Sequence, residues 1–319
     1  MCFLSWEIRQ KTVPLPANIH CNTHKTFCTN LKFYCMTSIK RKTVLVTGGA
    51  NGIGKLIGEK CLQKGAEQLI IWDINEQLLE ETLSEFTQKG YKVHGYVVDV
   101  SQPKDIEASA EDILAEIGTV DILFNNAGIV VGKKFAEHAA KDIDNTININ
   151  VLGVMHTARV FLPAMLKQHQ GHIVNIASAT GFVPNPNMSV YVSSKWAVLG
   201  WSESLRVEMD MQQTHVHVTT VCPSYINTGM FDGAKAPLLT PILEPDYIAN
   251  KIIEGVEKNK ALVTEPSTVK LVPFFRSILP TNLFDSFVGG FFGMYKSMEE
   301  FKGRTATAPQ KDSAKTIKS

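Results

Sequence analysis

The sequence predicts an α/β protein built on one mostly parallel, doubly wound sheet with helices on both faces. Between residues 42 and 265 of the 319-residue chain, short apolar runs alternate with segments of helical spacing. The runs are apolar along their whole length, which is typical of parallel strands buried on both faces. The alternation stops after residue 265, so we expect a single domain of this class with an apolar C-terminal extension.

The strands and helices can be placed in order along the chain. The predicted strands are KTVLVTGG, QLIIWD, KVHGYVVDV, VDILFNNAG, GHIVNIAS, HVHVTTVCP and ALVTEP. The predicted helices are IGKLIGEKCLQKG, EQLLEETLSEFTQKG, PKDIEASAEDILAEIG, a long region over 135–168 and the segment 189–211. Glycine ends the first two helices and proline stands near the start of the third, positions that suit each residue.

The composition excludes several classes of protein. Hydrophobic residues make up 44% of the chain and charged residues 20%, and the net charge of +1 argues against nucleic acid as a partner. No run of 18 uncharged apolar residues occurs, so no transmembrane helix is expected. Only Cys61 and Cys222 lie beyond residue 35, which favours a reducing compartment. We expect a protein on the cytoplasmic face.

Four segments are predicted. Residues 1–38 form a poorly ordered extension, 39–265 the main domain, 266–304 an apolar segment and 305–319 a disordered tail. The first 35 residues have neither helical spacing nor a signal-peptide pattern, and we expect the functional chain to begin at Met36. Their three clustered cysteines and two histidines match no usual zinc spacing, so no metal site is expected.

A glycine-rich turn joins the first strand to the first helix. The sequence TGGANGIG has the form GxxxGxG, in which glycines let the backbone approach a pyrophosphate and the helix N-terminus receives its charge. Such a turn carries weight only between a strand and a helix, which is its position here. We therefore predict cofactor contacts by Gly48, Asn51, Gly52, Ile53 and Gly54.

An acidic residue ends the second strand. Asp73 lies 19 residues after Gly54, near the spacing expected for a carboxylate that binds a ribose 2′-hydroxyl. A carboxylate there repels a 2′-phosphate, and neither Asn51 nor Ile74 supplies a compensating positive charge. NAD is therefore favoured over NADP. The alternative is that Asp73 caps the helix that follows Asn75.

Tyr191 and Lys195 lie four positions apart within the predicted helix 189–211, in SVYVSSKWAVLG. Residues at this spacing lie one above the other on a helix face, so a cation stands beside a weak acid. The pair alone is a weak signal, because such a spacing also arises by chance. Its interpretation depends on the other motifs of the chain.

Six motifs in the same order resemble the short-chain dehydrogenase/reductase family over about residues 42–265. They are TGGANGIG, Asp99 in VVDV, NNAG at 125–128, Asn150 in ININVLG, Ser178 thirteen residues before Tyr191, and Tyr191-x-x-x-Lys195. Each motif alone is weak, but the common order is specific. The resemblance implies a Rossmann fold, a nicotinamide cofactor and oxidoreductase activity, so that 39–265 would be a catalytic domain.

The resemblance also implies a role for each residue. Tyr191 would be the general acid/base, and Lys195 would favour its phenolate and hold the nicotinamide ribose. Ser178 would hydrogen-bond the substrate oxygen, and Asn150 would hold a water in a proton relay. Beyond the glycine-rich turn, the implied cofactor contacts are Asp73, Asp99, Val100, Asn126, Ala127, Gly128, Tyr191, Lys195, Pro223 and Thr228.

Two further residues near these motifs, Asn175 and Ser193, are interpreted as structural. One position departs from the family's pattern: Pro223 is followed by Ser224, where the family commonly has glycine, a change that reduces backbone freedom. Thr228 still matches the threonine that meets the cofactor's carboxamide.

The segment after residue 265 is rich in Phe, Leu and Met. Lys270, Arg276 and Asp285 interrupt it, so it is not expected to cross a bilayer. Three roles stay open: covering an apolar substrate pocket, lying on a membrane surface or packing against a partner subunit. The motifs WDIN, CPSYINTGM and SMEEFKGR resemble the branch that contains retinol and hydroxysteroid dehydrogenases of membranes and lipid droplets. The resemblance implies a protein that is soluble or peripherally associated with a membrane or lipid droplet.

That branch implies an NAD-dependent enzyme for a bulky lipophilic alcohol or carbonyl compound, such as a retinoid, a steroid or a long-chain lipid. A 3-oxoacyl-type carbonyl reductase is the alternative within the same chemistry. Alternatives of another class are a non-catalytic NAD-binding protein of lipid surfaces and an interaction protein that uses the apolar segment. The family usually forms dimers or tetramers, so a homodimer or homotetramer is expected, formed through 135–168 and 189–211.

Overall fold

A computed structural model of the protein describes residues 36–238, 240–303 and 316–317. The extension predicted over residues 1–38 therefore lies almost entirely outside the described residues, and so do its clustered cysteines and histidines. Of the tail predicted over 305–319, only Thr316 and Ile317 are described, and they pair with a strand of the sheet.

The sheet is doubly wound, as the sequence predicts. Its strands are β1 (Thr43–Thr47), β2 (Gln68–Asp73), β3 (Val93–Val97), β4 (Ile122–Asn125), β5 (Gly171–Ile176), β6 (Val216–Pro223), β7 (Leu262–Glu265) and β8 (Thr316–Ile317). They are arranged in the order β7-β6-β5-β4-β1-β2-β3-β8, and every pair is parallel except β3 with the edge strand β8. The order in which strands are added to the sheet reverses between β1 and β4, and folds of this class bind their ligands at that point.

The helices cover both faces of this sheet. They are α1 (Gly52–Gln63), α2 (Glu76–Gln88), α3 (Pro103–Glu116), α4 (Ala140–Ile147), α5 (Val154–Lys167), α6 (Ser189–Met211), α7 (Pro245–Glu257), α8 (Val272–Ile278) and α9 (Thr281–Phe284). One apolar cluster packs α1, α2 and α7 on one face, and another packs α3, α5 and α6 on the other. Burial of both faces explains why the strands are apolar throughout.

Two features of the helices differ from the prediction. Helix α7 was not predicted, although Pro245 at its start and buried apolar residues at helical spacing mark it. The region 135–168 is not a single regular helix, because a 3₁₀ turn at Phe135–Glu137 precedes α4 and a π-helical turn at Asn148–Gly153 joins α4 to α5.

The run Ala140–Lys167 is 28 residues long and apolar enough, by length and composition, to cross a membrane. A core helix of a globular protein meets the same criteria. Here Ala158, Phe161 and Met165 pack into the core against the sheet, so this run is part of the domain.

The residues 266–303 form what we call the C-terminal cover. It consists of α8, α9, a π-helical turn at Asp285–Phe291 and short 3₁₀ turns. Its inner side packs on the loops that follow β5 and β6, with Phe284, Val288 and Met294 close to Val183. The cover therefore lies against the carboxyl-terminal edge of the sheet.

Candidate functional site

The predicted site residues meet at the carboxyl-terminal edge of the sheet. The glycine-rich turn follows β1, Asp73 ends β2, the NNAG segment follows β4, Ser178 follows β5 and Pro223 ends β6. Tyr191 and Lys195 approach the same edge from the first turns of α6. Parallel strands bring these distant segments together because their carboxyl ends lie side by side.

The glycine-rich turn forms a cradle that side chains would fill. Gly48 adopts a left-handed backbone with φ of +62°. A Cβ on Gly54 would lie 2.2 Å from the Gly48 carbonyl oxygen and 2.5 Å from Asn126 Nδ2. Asn51 caps α1, and its side chain accepts a hydrogen bond from the Gly52 N–H at 2.6 Å. The turn thus fits a bound pyrophosphate at the N-terminus of α1.

Thr47, which the sequence analysis did not single out, ties this turn to the segment after β4. Its Oγ1 accepts hydrogen bonds from the N–H groups of Asn126 and Ala127, both at 3.0 Å. The Asn126 side chain donates in return to the carbonyls of Thr47 at 2.9 Å and Gly48 at 3.0 Å. A threonine at the end of β1 was the only signal for this role, and the sequence does not show which turn it faces.

The Asp73 carboxylate lies beside the glycine-rich turn. Its Oδ2 accepts from the Ala50 N–H at 3.0 Å and its Oδ1 from the Asn75 N–H at 3.0 Å. The cap of α2 is Asn75, whose side chain accepts from the Leu78 N–H at 3.0 Å. Asp73 therefore orients the turns at the ends of β1 and β2, where a carboxylate can meet a ribose.

The next predicted contacts lie in the turn after β3. Asp99 Oδ1 accepts from the Ser101 N–H at 2.9 Å, which fixes this turn. A Cβ on Gly153, in the π-helical turn, would lie 2.6 Å from the Val100 carbonyl oxygen. The glycine therefore lets the helix before α5 approach the segment that holds Asp99 and Val100.

Ser178, Tyr191 and Lys195 come together in a buried group. Ser178 hydrogen-bonds Tyr191, and its Oγ also accepts from the Thr180 N–H at 3.2 Å. Lys195 Nζ donates to the carbonyl of Ile176 at 2.8 Å and lies 5.6 Å from the centre of the Tyr191 ring. All three predicted residues are buried.

Burial controls the protonation of this group. It raises the pKa of the Tyr191 phenol well above the usual value of 10.0, an effect that the Ser178 hydrogen bond opposes. It also lowers the pKa of the Lys195 ammonium from 10.5 to about 8. The role of Lys195 in favouring the phenolate stays a prediction. The ammonium group is itself desolvated and donates to the Ile176 carbonyl.

Asn150 lies fully buried in the π-helical turn between α4 and α5. Its Oδ1 accepts from the Ile129 N–H at 2.8 Å, and its Nδ2 donates to the Ile129 carbonyl at 2.9 Å and to Ser194 Oγ at 3.1 Å. Ser194 Oγ donates in turn to the Tyr191 carbonyl at 2.6 Å. The side chain thus links the segment after β4 to the first turn of α6.

Two other residues near the motifs make local or structural contacts. Asn175 accepts from Asn125 Nδ2 at 2.8 Å and donates to Ser202 Oγ at 2.9 Å, inside the core. Ser193 Oγ donates to the Val190 carbonyl at 2.7 Å within α6. These contacts agree with the interpretation of both residues as structural.

The loop after β6 accommodates Ser224 without strain. Ser224 does not adopt a left-handed backbone, and its N–H donates to the Glu265 carbonyl at 2.8 Å, extending the pairing of β6 with β7. Farther along, the Thr228 N–H donates to the Ile226 carbonyl at 2.8 Å. Serine in place of glycine therefore does not strain the backbone of this loop.

A small cavity of about 20 Å³ lies against Ser178 and Tyr191. This volume holds little more than one water molecule. Sequence analysis missed the rest of its wall, which comes from four separate segments: Ala179, Thr180, Val183, Ser224, Tyr225, Phe231 and Met294. Most of these residues are apolar or aromatic, and only Ser224 and Tyr225 lie in a quoted motif, CPSYINTGM.

A glycine cradle at a helix N-terminus next to a buried Ser–Tyr–Lys group is the arrangement of a nicotinamide-dependent oxidoreductase. A sequence model of the short chain dehydrogenases matches residues 42–238. The chain belongs to the short-chain dehydrogenase/reductase family.

Two human relatives are similar over most of the chain. Estradiol 17-beta-dehydrogenase 11 from Homo sapiens is 38% identical over 244 residues, which cover 76% of this chain and 81% of the relative. Epidermal retinol dehydrogenase 2 from Homo sapiens is 35% identical over 268 residues, which cover 83% and 86%. These similarities confirm the resemblance to the retinol and hydroxysteroid dehydrogenase branch.

Solved structures of the family bind either nicotinamide cofactor. A short-chain dehydrogenase/reductase from Burkholderia phymatum in complex with NAD has a TM-score of 0.70 and 28% identity, covering 76% of this chain and 96% of that one. A metagenomic short-chain oxidoreductase in complex with NADP has a TM-score of 0.61 and 28% identity, covering 72% and 96%. The protein is thus an oxidoreductase of CH–OH groups that uses a nicotinamide cofactor.

Proposed function

We propose that the protein is an NAD-dependent dehydrogenase of lipophilic alcohols, acting on a retinoid, a steroid or a long-chain lipid. The observation that carries this proposal is the buried Ser178–Tyr191–Lys195 group facing a cavity with apolar and aromatic walls. An apolar wall excludes water and favours an apolar substrate beside the reacting oxygen. The relatives named for estradiol and retinol support the same substrate class.

The chain's own residues would move the proton. Tyr191 exchanges it with the substrate oxygen, while Ser178 donates a hydrogen bond that holds this oxygen in place. When bound, the nicotinamide exchanges a hydride with the substrate carbon and, in its oxidised form, adds a positive charge. Burial favours the protonated phenol, so Tyr191 is ready to give a proton to a carbonyl oxygen. In the oxidation direction it must first lose a proton, and the rate should rise with pH.

Asn150 would act as a positioning residue in this reaction. Its amide is engaged by Ile129 and Ser194, so a relay water would be bound by its main-chain carbonyl or by the remaining lone pair of Oδ1.

The preference for NAD over NADP rests on Asp73. Its carboxylate stands beside the glycine-rich turn and would repel a 2′-phosphate.

The test is an assay of NADH formation with retinol, hydroxysteroids and long-chain alcohols, with NAD and with NADP in parallel. Tyr191→Phe should lower kcat by about 10²- to 10⁴-fold while leaving NAD binding intact, because only the proton donor is removed. A clear preference for NADPH would favour a 3-oxoacyl-type reductase instead. Absence of turnover in either direction by protein that binds NAD would refute the enzymatic proposal in favour of a binding role.

The outer side of the C-terminal cover would contact a lipid surface. Six large apolar side chains are exposed there: Leu271, Phe274, Ile278, Leu283, Phe287 and Phe291. Three cations and one acid lie between residues 268 and 297, which suits an anionic surface. The wild type should float with phosphatidylcholine–phosphatidylserine vesicles, whereas the double variant Phe274→Ser/Phe291→Ser should not. Phe135→Ser, which removes an equally exposed ring elsewhere, should still float. Equal flotation of both variants would argue against this surface.

A second copy of the chain would pack on the outer face of α6. Exposed small and apolar residues recur there at helical spacing: Ser193, Ala197, Gly200, Ser204, Val207 and Met211. Small residues let two helices approach closely. Val207→Glu should then convert a dimer or tetramer to a smaller species in analytical ultracentrifugation. An unchanged mass would exclude this face as the interface.

A further inference from the structure

A second, much larger cavity lies between α6 and the C-terminal cover. Its volume is about 860 Å³, within the range of sites that hold drug-sized ligands, about 300–1,000 Å³. Val192 and Trp196 of α6 lie on one side, and Leu279 and Phe284 of the cover lie on the other. Two charged residues of the cover also line the cavity, Asp285 and Arg276, whose guanidinium lies over the Trp196 ring at 4.6 Å. We call this space the lipid cleft. The cavity at Tyr191 is about 20 Å³, so the body of a lipophilic substrate has no room there.

The two spaces share one thin wall. Val183 faces the small cavity and the next residue, Pro184, faces the cleft; Met294 and Tyr295 divide in the same way. Phe284 of the cleft packs in one apolar cluster with Val183 and Met294. The two cavities are therefore separated by the side chains of this one apolar cluster.

Two polar atoms near this wall, Asn185 Oδ1 and Thr180 Oγ1, have no hydrogen-bond partner. Ser297 Oγ donates to the Met294 carbonyl at 2.7 Å, so Tyr225 must donate its proton to Ser297 Oγ at 2.8 Å. Asn185 then turns its Nδ2 toward Tyr225, at 2.9 Å, and its Oδ1 is left buried without a hydrogen-bond partner. Thr180 Oγ1 is buried and unpartnered in the same way. Such atoms are costly when unpaired, and a water or a ligand hydroxyl that reached this wall would satisfy them.

We propose that the lipid cleft holds the hydrocarbon body of the substrate, and that its alcohol end passes the wall at Met294 to reach Ser178 and Tyr191. This proposal rests on the proposed function and specifies its substrate as an elongated lipophilic alcohol. Met294 is the unbranched, flexible member of the wall, beside the stiffer Val183 and Phe284, so it is the side chain that can swing aside. Movement of this one side chain would connect the two spaces while the cover stays closed. Main-chain hydrogen bonds tie the cover to the loop after β6.

The first test compares primary n-alcohols from butanol to hexadecanol with NAD. We expect kcat/KM to rise about fourfold per added methylene until the cleft is filled, because each methylene leaves water. Leu279→Trp, which fills the cleft, should lower kcat/KM for hexadecanol at least tenfold and leave butanol within threefold. Ser277→Trp adds the same ring on the exposed side of α8 and should change neither. No dependence on chain length, or equal effects of the two variants, would overturn the proposal.

A second test does not need turnover. Trp196 lines the cleft, so a bromine-labelled long-chain alcohol should quench its fluorescence, and the quenched component should be missing in Trp196→Phe. Leu279→Phe should weaken this binding, whereas Ser277→Phe should not, and neither variant adds a tryptophan to the signal. Quenching without turnover of any alcohol would refute the proposed function and leave the cleft as a lipid site. Turnover of long alcohols without quenching would refute the cleft.

Discussion

The cofactor edge and the C-terminal cover are held by different kinds of contact. At the cofactor edge, backbone atoms lie so close that a Cβ on Gly54 would stand 2.2 Å from the Gly48 carbonyl oxygen. Most of the cover instead rests on apolar side chains, and backbone contacts tie its last residues to the loop after β6, such as the Lys235 N–H to the Ser297 carbonyl at 2.8 Å and the close approach of Glu300 to Gly233. Backbone contacts cannot rotate away, whereas side chains can. The difference suggests a fixed cofactor site beside a substrate side that can adjust.

A side chain at Gly54 should disrupt the packing of the cofactor edge and lower stability strongly. Gly54→Ala should lower the free energy of unfolding by at least about 3 kcal/mol, because its Cβ meets a backbone carbonyl that cannot move alone. Urea unfolding measures this loss. Gly290→Ala, in the cover, has no heavy atom within 4 Å of the new Cβ and should change stability by less than about 1 kcal/mol. Equal losses would mean that the two regions are equally rigid.

Lys195 lies between the two regions and should make stability depend on pH. Its pKa falls from 10.5 to about 8 on burial, which corresponds to about 3 kcal/mol. Between pH 8 and 10.5 the unfolded chain binds more protons than the folded one, so this cost is full below pH 8 and disappears as the pH rises. Lys195→Met should therefore be relatively most stable below pH 8. Urea unfolding of both proteins at pH 7 to 10 measures the difference, which should not stay constant.

The Asp73 carboxylate should control the choice between NAD and NADP at the cofactor edge. Asp73→Asn keeps an acceptor oxygen for the Ala50 N–H but removes the negative charge. We expect the ratio of kcat/KM with NADP to that with NAD to rise about tenfold or more, since hydrogen bonds to charged groups contribute about 1.5–3 kcal/mol. Asp99→Asn makes the same chemical change one strand away and should leave this ratio within threefold. A similar change in both variants would remove the special role of Asp73.

The smallest expected effect concerns the cover. Ser297→Ala leaves Tyr225 without its acceptor and should lower stability by about 1 kcal/mol. Hydrogen exchange should become faster in residues 285–303 and stay unchanged in 47–54, because the contact holds only the cover. Ser286→Ala, an exposed serine of the same segment, should alter neither. Faster exchange at both ends of the site would show that the two regions open together.

The cofactor edge was more predictable than the cover for a physical reason. Turns, caps and glycine positions depend on residues that are near in sequence, so TGGANGIG and Asp73 could be interpreted directly. The role of Thr47 could not, because its partners lie about 80 residues away. Helix α7 was not predicted, although Pro245 and buried apolar residues at helical spacing mark it.

The sequence by itself determined the class of fold, the order of the strands along the chain and the Ser178–Tyr191–Lys195 group. The fold class and the strand order follow from hydrophobic period, and the group follows from motifs that resemble those of the short-chain dehydrogenase/reductase family. Only the tertiary structure decided that Lys195 faces the Ile176 carbonyl, that burial opposes the phenolate of Tyr191, and that Met294 separates two cavities. Burial, pKa and cavity shape are properties of what surrounds a side chain. Those surroundings come from segments that are distant in sequence and meet only on folding.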